Sequence, residues 1–183
     1  MRVGAPSRRA AVIGLLSALA IATNYAMIGI PNVKLMDSIV FLAGLSLGFA
    51  DGAAVATLTW IVYGFLNPYG FVPTIWLATT LGEWLFALAG SLSRTLPGER
   101  KPPVMAALGY ATTLAYDLVT NAAFAVTFGL PIWAALVAGI PFALLHELTN
   151  AAAFSLLVPR AEAAVLALLG PGARGGRIRA DRL

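Results

Sequence analysis

Apolar stretches long enough to cross a bilayer follow one another along most of the chain, separated by short polar breaks. A helical span needs about 20 apolar residues, and Ala10 to Ile30 meets that length before Pro31. The stretch from Leu35 to Leu66 is too long for one span and contains two glycines around Asp51, so we predict two shorter helices joined by a tight turn there. Further spans are predicted at Phe71–Leu92, Pro103–Phe128 and Pro131–Val158, the last kinked or split by Pro141.

The composition places this pattern in a membrane. Of the 183 residues, 60% are hydrophobic and only 11% are charged, against about 25% charged in soluble domains. The length suits one compact bundle, and the absence of cysteine excludes disulfides and thiolate metal sites. The N-terminal arginines followed by an apolar run imitate a secretory signal, but the run is too long for one, so we interpret it as a retained first helix.

The distribution of basic residues orients the predicted bundle. Six spans put both termini on one side, and 11 of the 12 lysines and arginines then fall on that side, with Lys34 opposite. Positive charge favours the cytoplasmic face. We therefore predict an all-α, six-helix, multi-pass plasma-membrane protein with both termini in the cytoplasm, formed by residues 1–160 and followed over 161–183 by a short helix and a basic Gly/Arg tail. The eleven are Arg2, Arg8, Arg9, Arg94, Arg100, Lys101, Arg160, Arg174, Arg177, Arg179 and Arg182.

Polar side chains interrupt three of the predicted spans near the middle of the bilayer. Glu83, Asp117 and His146 each lie roughly 16–22 Å along their helices at about 1.5 Å per residue. Ionisable groups at that depth usually face a bundle interior and mark a solute or ion path. Helical spacing puts other polar and aromatic residues on the same faces, which predicts an outward-open solute pocket with aromatic walls. Its predicted members also include Asn24, Trp76, Tyr110, Asn121 and Asn150.

Other interpretations of these residues remain open. Glu83, Asp117 and His146 could pair with one another and hold helices together, as polar groups often do in membrane bundles. They could instead relay protons in a stand-alone secondary carrier. Asn24 and Asn150, taken singly, are typical of helix-to-helix hydrogen bonds, and Trp133 is typical of an interfacial aromatic belt.

Two motifs that would indicate enzymes are missing. His146 is the only histidine, so His146-Glu147 cannot form the two-histidine zinc site of a metalloprotease. The chain has no phosphate-binding Gly-x-x-x-x-Gly-Lys loop. We expect no catalysis, no metal and no cofactor. The alternative is an intramembrane enzyme that would use His146 and Glu147 as its acid and base. Active transport would then take its energy from a partner protein or an ion gradient.

Small residues recur every four positions on the first helix, at Gly14, Ala18, Ala22 and Ala26. Such a ridge lets a second helix approach closely. The partner helix could belong to this bundle or to another protein.

The order of the motifs resembles the S-component, the substrate-binding subunit, of energy-coupling factor vitamin transporters, most nearly the cobalamin- and queuosine-type S-components and their relatives. The resemblance covers about residues 10–160. The chain differs in having Ala143 before, and Glu147 after, the Leu-Leu-His of helix six. The motifs are the alanine ridge, Ile30-Pro31-Asn32-Val33-Lys34, Leu42-Ala43-Gly44-Leu45-Ser46-Leu47-Gly48, Asn67-Pro68-Tyr69-Gly70, Pro141-Phe142 and Leu144-Leu145-His146 with Asn150.

This resemblance implies a division of roles. Ala18, Ala22 and Ala26 would dock on a transmembrane coupling subunit that carries two cytosolic ATPases. Asn32, Lys34, Asn67 and Tyr69 would belong to loops that gate the pocket. Asp117, Asn121 and His146 would contact a small vitamin-like solute, which the S-component is thought to release inside by toppling in the membrane.

Overall fold

Seven α-helices make up the part of the chain that the computed structural model describes, residues 5–94 and 101–170, and these residues include no strand. The all-α prediction is therefore confirmed. The basic tail after Gly170 and most of the loop between Ser93 and Pro102 lie outside the described residues. The helices are α1 (Ala5–Ala26), α2 (Met36–Leu47), α3 (Phe49–Leu66), α4 (Pro73–Ser93), α5 (Pro102–Phe128), α6 (Ile132–Leu156) and α7 (Val158–Leu169).

Four of the helices in the described residues, α1, α3, α4 and α6, are long and apolar enough to cross a membrane. These helices indicate a membrane protein. Helix α5 is long enough, with 27 residues, but it is not among these four. Helix α2 has only 12 residues, about 18 Å at 1.5 Å per residue, which is shorter than a bilayer core. The count of six spans stays a prediction.

The helix boundaries differ from the predicted ones at one informative point. The break between α2 and α3 falls at Gly48, where φ is 106°, a backbone conformation that glycine adopts without steric cost. The predicted turn at Asp51 is wrong, because Asp51 lies in the first turn of α3. Its carboxylate there bonds the Arg9 guanidinium of α1. Pro141 lies inside α6, which runs unbroken past it.

Helix α2 is the centre of the bundle. Eleven of its 12 residues are buried, and it contacts α1, α3, α4, α6 and α7. Since lipid chains are as apolar as leucine, close packing rather than escape from water holds such helices together. Glycine makes that packing close: a Cβ added to Gly90 of α4 would lie 2.1 Å from the Phe41 carbonyl oxygen of α2.

Two arginines donate hydrogen bonds to the C-terminal carbonyl groups of this central helix. The Arg94 guanidinium donates hydrogen bonds to the carbonyl oxygens of Leu45 (2.7 Å) and Gly44 (3.0 Å), and Arg9 donates to that of Leu47 (2.8 Å). The last carbonyls of a helix have no intrahelical donor and carry the negative end of its dipole. The two cations therefore stabilise the C-terminus of α2 inside the bundle.

Candidate functional site

A cavity of about 550 Å³ opens at the end of the bundle that carries the α1–α2 and α3–α4 connections. That volume is suited to a drug-sized molecule. Nearly half of the lining side chains are aromatic, and the polar ones come mainly from the two connecting loops. The lining comprises Asn32, Lys34, Trp60, Tyr63, Gly64, Asn67, Tyr69, Gly70, Phe71, Val72, Ile75, Trp76, Thr79, Phe124 and Phe128.

The aromatic wall is fixed by contacts between α3 and α4. The Trp76 indole N–H donates to the Trp60 carbonyl oxygen at 2.9 Å. The ring lies over Gly64, where an added Cβ would come within 2.3 Å of Trp76 Cδ1. Glycine at position 64 is thus required for Trp76 to lie where it does. Trp76, predicted as a pocket residue, is part of a cavity wall.

One hydrogen bond joins the two loops beside this cavity, and others fix the turn after α3. The Asn67 amide donates to the Gly64 carbonyl oxygen and accepts from the Tyr69 backbone N–H, which closes the turn after α3. The Tyr69 hydroxyl donates to the carbonyl oxygen of Ile28 beyond α1 at 2.9 Å. Asn32, in the other loop, has a φ of 53°, in the left-handed region that asparagine tolerates better than most residues.

A network of buried polar side chains lies deeper in the bundle. His146 bridges two carboxylates, with Nε2 2.5 Å from Asp37 Oδ2 and Nδ1 3.0 Å from Asp117 Oδ1. The Asn150 amide donates to Asp37 Oδ2 at 2.7 Å and to the Thr113 hydroxyl at 2.8 Å. All five residues are buried. The network joins α2, α5 and α6.

The carboxyl group of Glu83 connects this network to the cavity. Glu83 is fully buried, its carboxyl group interacts with that of Asp37, and its Oε2 accepts a long contact of 3.5 Å from the Trp60 indole N–H. Lys34 supplies positive charge from the loop: its ammonium lies 5.1 Å from the centre of the Tyr116 ring and interacts electrostatically with both carboxylates. Asp37 Oδ1 and Glu83 Oε1 are buried without hydrogen-bond partners among the described residues.

The sequence analysis missed Asp37, the acidic residue at the centre of the network. The sequence does contain a clue to it, because Asp37 is the one charged residue among the 12 of α2. Asp37 also lies only one helical turn from the polar segment at Lys34, so in the sequence it looks like part of the loop rather than of a buried helix. Only the burial of α2 on all sides places its carboxylate in the core.

The predicted pocket residues thus fall in four places. Asn32, Asn67, Tyr69 and Trp76 line the cavity, whereas Glu83, Asp117, His146 and Asn150 lie beneath it in the buried network. The expectation that Glu83, Asp117 and His146 share one outward cavity is wrong, since the network is packed among helices. Tyr110 and Asn121 line a groove between α5 and α6, together with Asp117. Asn24 is buried and donates to the Met36 sulfur at 3.3 Å.

The alanine ridge of α1 lies on the outside of the bundle. Gly14, Ala18, Ala22 and Ala26 are all exposed, and nothing lies within 4 Å of the position that a Cβ on Gly14 would take. The opposite face of α1, with Val12, Leu16 and Ala20, packs into the core. Packing inside this bundle, the first of the two interpretations of the ridge, is therefore wrong for the described residues.

Comparison with protein-family models, with curated proteins and with solved structures finds no match. The resemblance to S-components accordingly stays a prediction, and the functional conclusion depends on the cavity, the network and the exposed ridge.

Proposed function

We propose that this protein binds a small solute from outside the cell and takes part in its uptake, as the membrane subunit of an ATP-driven transporter of the energy-coupling factor kind. The observation that carries the proposal is the 550 Å³ aromatic cavity that two loops line at the end of the bundle. Such a site holds a vitamin-like molecule by stacking and by a few orienting polar groups. The protein itself performs no chemistry on the solute.

The positions of the charges support six spans with both termini in the cytoplasm. Arg9 and Arg94 meet at one end of α2, and Lys101 and Arg160 lie at helix ends. Lys34 lies at the other end of α2, where the cavity opens. Positive charge favours the cytoplasmic face, so the cavity would face outward in the plasma membrane.

The first experiment identifies the solute. Native mass spectrometry of gently purified protein is expected to detect a copurifying small molecule. Trp76→Ala removes one aromatic wall and is expected to lower its occupancy by about tenfold, the equivalent of an aromatic stacking contact.

Trp133→Ala is the matched control, because Trp133 is 71% exposed and lies outside the cavity lining. Equal occupancy in both variants, or no bound molecule under any growth condition, would contradict the assignment of the cavity.

The exposed ridge of α1 supports docking of a partner with two ATPase subunits. Ala22→Leu adds an isobutyl group to a surface that small residues keep flat, and helices dock closely only where such residues let their backbones approach. We expect ATP-dependent uptake and copurification of the coupling subunit to be lost while solute occupancy is retained. Ala115→Leu, at an exposed position of α5, should leave both intact. If the Ala22→Leu variant retained uptake, the docking assignment would be wrong.

A stand-alone proton-coupled carrier is the second candidate, and one observation favours it. Asp117, His146, Asp37 and Glu83 form a continuous series of ionisable groups that ends beside the cavity at Trp60. Such a series in a membrane bundle is typical of proton relays. Uptake that collapses with a protonophore yet persists without any ATPase partner would select this function over the first.

A further inference from the structure

A second opening in the bundle is a groove of about 310 Å³ between α5 and α6. Its rim consists of aliphatic side chains, and those of Leu118, Val137 and Ile140 are about half exposed. In a bundle that spans a bilayer, such side chains face lipid chains rather than water. The groove therefore opens sideways into hydrocarbon, apart from the cavity at the end of the bundle.

An acidic side chain, Glu147, closes the inner wall of this groove. Glu147 is only 3% exposed, lines the groove, and interacts with the Tyr110 hydroxyl. Consecutive helical residues point about 100° apart. His146 can therefore face the buried network while Glu147 faces the groove, and the network described above makes no use of Glu147.

The helices that form the groove have no strong base to neutralise this acid. Residues 102–156 contain neither lysine nor arginine, and His146, the one basic residue among them, is engaged by Asp37 and Asp117. An uncompensated carboxylate facing hydrocarbon is costly. The groove is thus complementary to a cation that carries an apolar body.

The remaining polar atoms of the groove are mainly acceptors. Pro141 has no N–H, so the carbonyl oxygen of Val137, four residues earlier in α6, lacks its usual helical donor. The amide N–H₂ of Asn121 already donates to the Asp117 carbonyl oxygen at 2.8 Å. A ligand suited to this lining therefore brings N–H donors of its own.

We propose that the α5–α6 groove is a lateral binding site for an amphiphilic amine. The protonated amine pairs with Glu147, and its alkyl body lies along the aliphatic rim between Leu118 and Ile140. Charge-assisted hydrogen bonds to a carboxylate are about twice as strong as neutral ones. A protonated amine is accordingly preferred over an alcohol or a carboxylate with the same alkyl chain.

The test compares dodecylamine, dodecanol and dodecanoate, each titrated into the full-length protein in a non-ionic detergent and followed by native mass spectrometry. Saturable binding of dodecylamine alone is expected. Glu147→Gln should weaken it by about tenfold or more, the loss of one charged hydrogen bond. Glu162→Gln removes another buried carboxyl, on α7, and should leave binding unchanged.

A steric variant keeps the proposal testable if Glu147→Gln does not fold. Ile140→Trp fills the groove without altering charge and should abolish binding, whereas Val126→Trp, at a 74% exposed position outside the lining, should not. Equal binding of the three amphiphiles, unchanged binding by Glu147→Gln or Ile140→Trp, absence of saturable binding, or occupation of the groove by a phospholipid or a second copy of the chain would each overturn the proposal.

Discussion

Replacing Asp37 with alanine is expected to lower the free energy of unfolding by about 3–5 kcal/mol, the cost of breaking a buried ion pair by removing one partner. The carboxylate is fully buried and accepts hydrogen bonds from His146 and Asn150. Its loss leaves both donors without that acceptor and removes a negative charge that interacts with the Lys34 ammonium. Equilibrium unfolding in mixed detergent micelles would measure the change.

Asp51→Ala is the matched control for this loss. Asp51 also pairs with a base, but its partner Arg9 is about half exposed, so the expected cost is at most about 1 kcal/mol. A double-mutant cycle between Asp37→Ala and His146→Leu should give a coupling energy of about 1–3 kcal/mol. If Asp37→Ala were no more destabilising than Asp51→Ala, the buried network would not be a main source of the bundle's stability.

Gly90→Ala is expected to destabilise the bundle by at least about 2 kcal/mol, in the upper part of the range for overpacking. The added Cβ would lie 2.1 Å from the Phe41 carbonyl oxygen and 2.8 Å from the Leu45 nitrogen. Both are backbone atoms, so no rotamer change relieves the clash and α2 must move away from α4. Because α2 carries Asp37, the same shift should lower solute occupancy, which native mass spectrometry can follow beside the unfolding measurement.

Gly14→Ala is the control, with the same change on an exposed helical face. Nothing lies within 4 Å of its new Cβ, and alanine is favoured over glycine in a helix by about 1 kcal/mol. Its stability should be unchanged or slightly raised. Similar behaviour of Gly90→Ala and Gly14→Ala would show that α2 and α4 are not in the close contact described.

The site was only partly predictable from the sequence, for a reason particular to membrane proteins. In a water-soluble helix the polar face marks the outside, but here the side facing lipid and the side facing the core are both apolar. The ridge at Ala22 and the aliphatic rim near Ile140 therefore have the same composition as buried positions. Polar residues such as Asp117 and His146 stood out against that background, whereas their partner Asp37 lay too near a loop to do so.

What the sequence determined by itself is the helical, membrane-embedded character of the chain, most of the helix ends, and the presence of ionisable groups in its spans. Those properties depend on runs of neighbouring residues and on glycine and proline, which act locally. Only the tertiary structure decided that α2 is the buried centre, that His146 joins Asp37 to Asp117, and that the aromatic cavity and the α5–α6 groove are separate. Each of these depends on which helix faces which, and close packing between glycine-lined surfaces sets that arrangement.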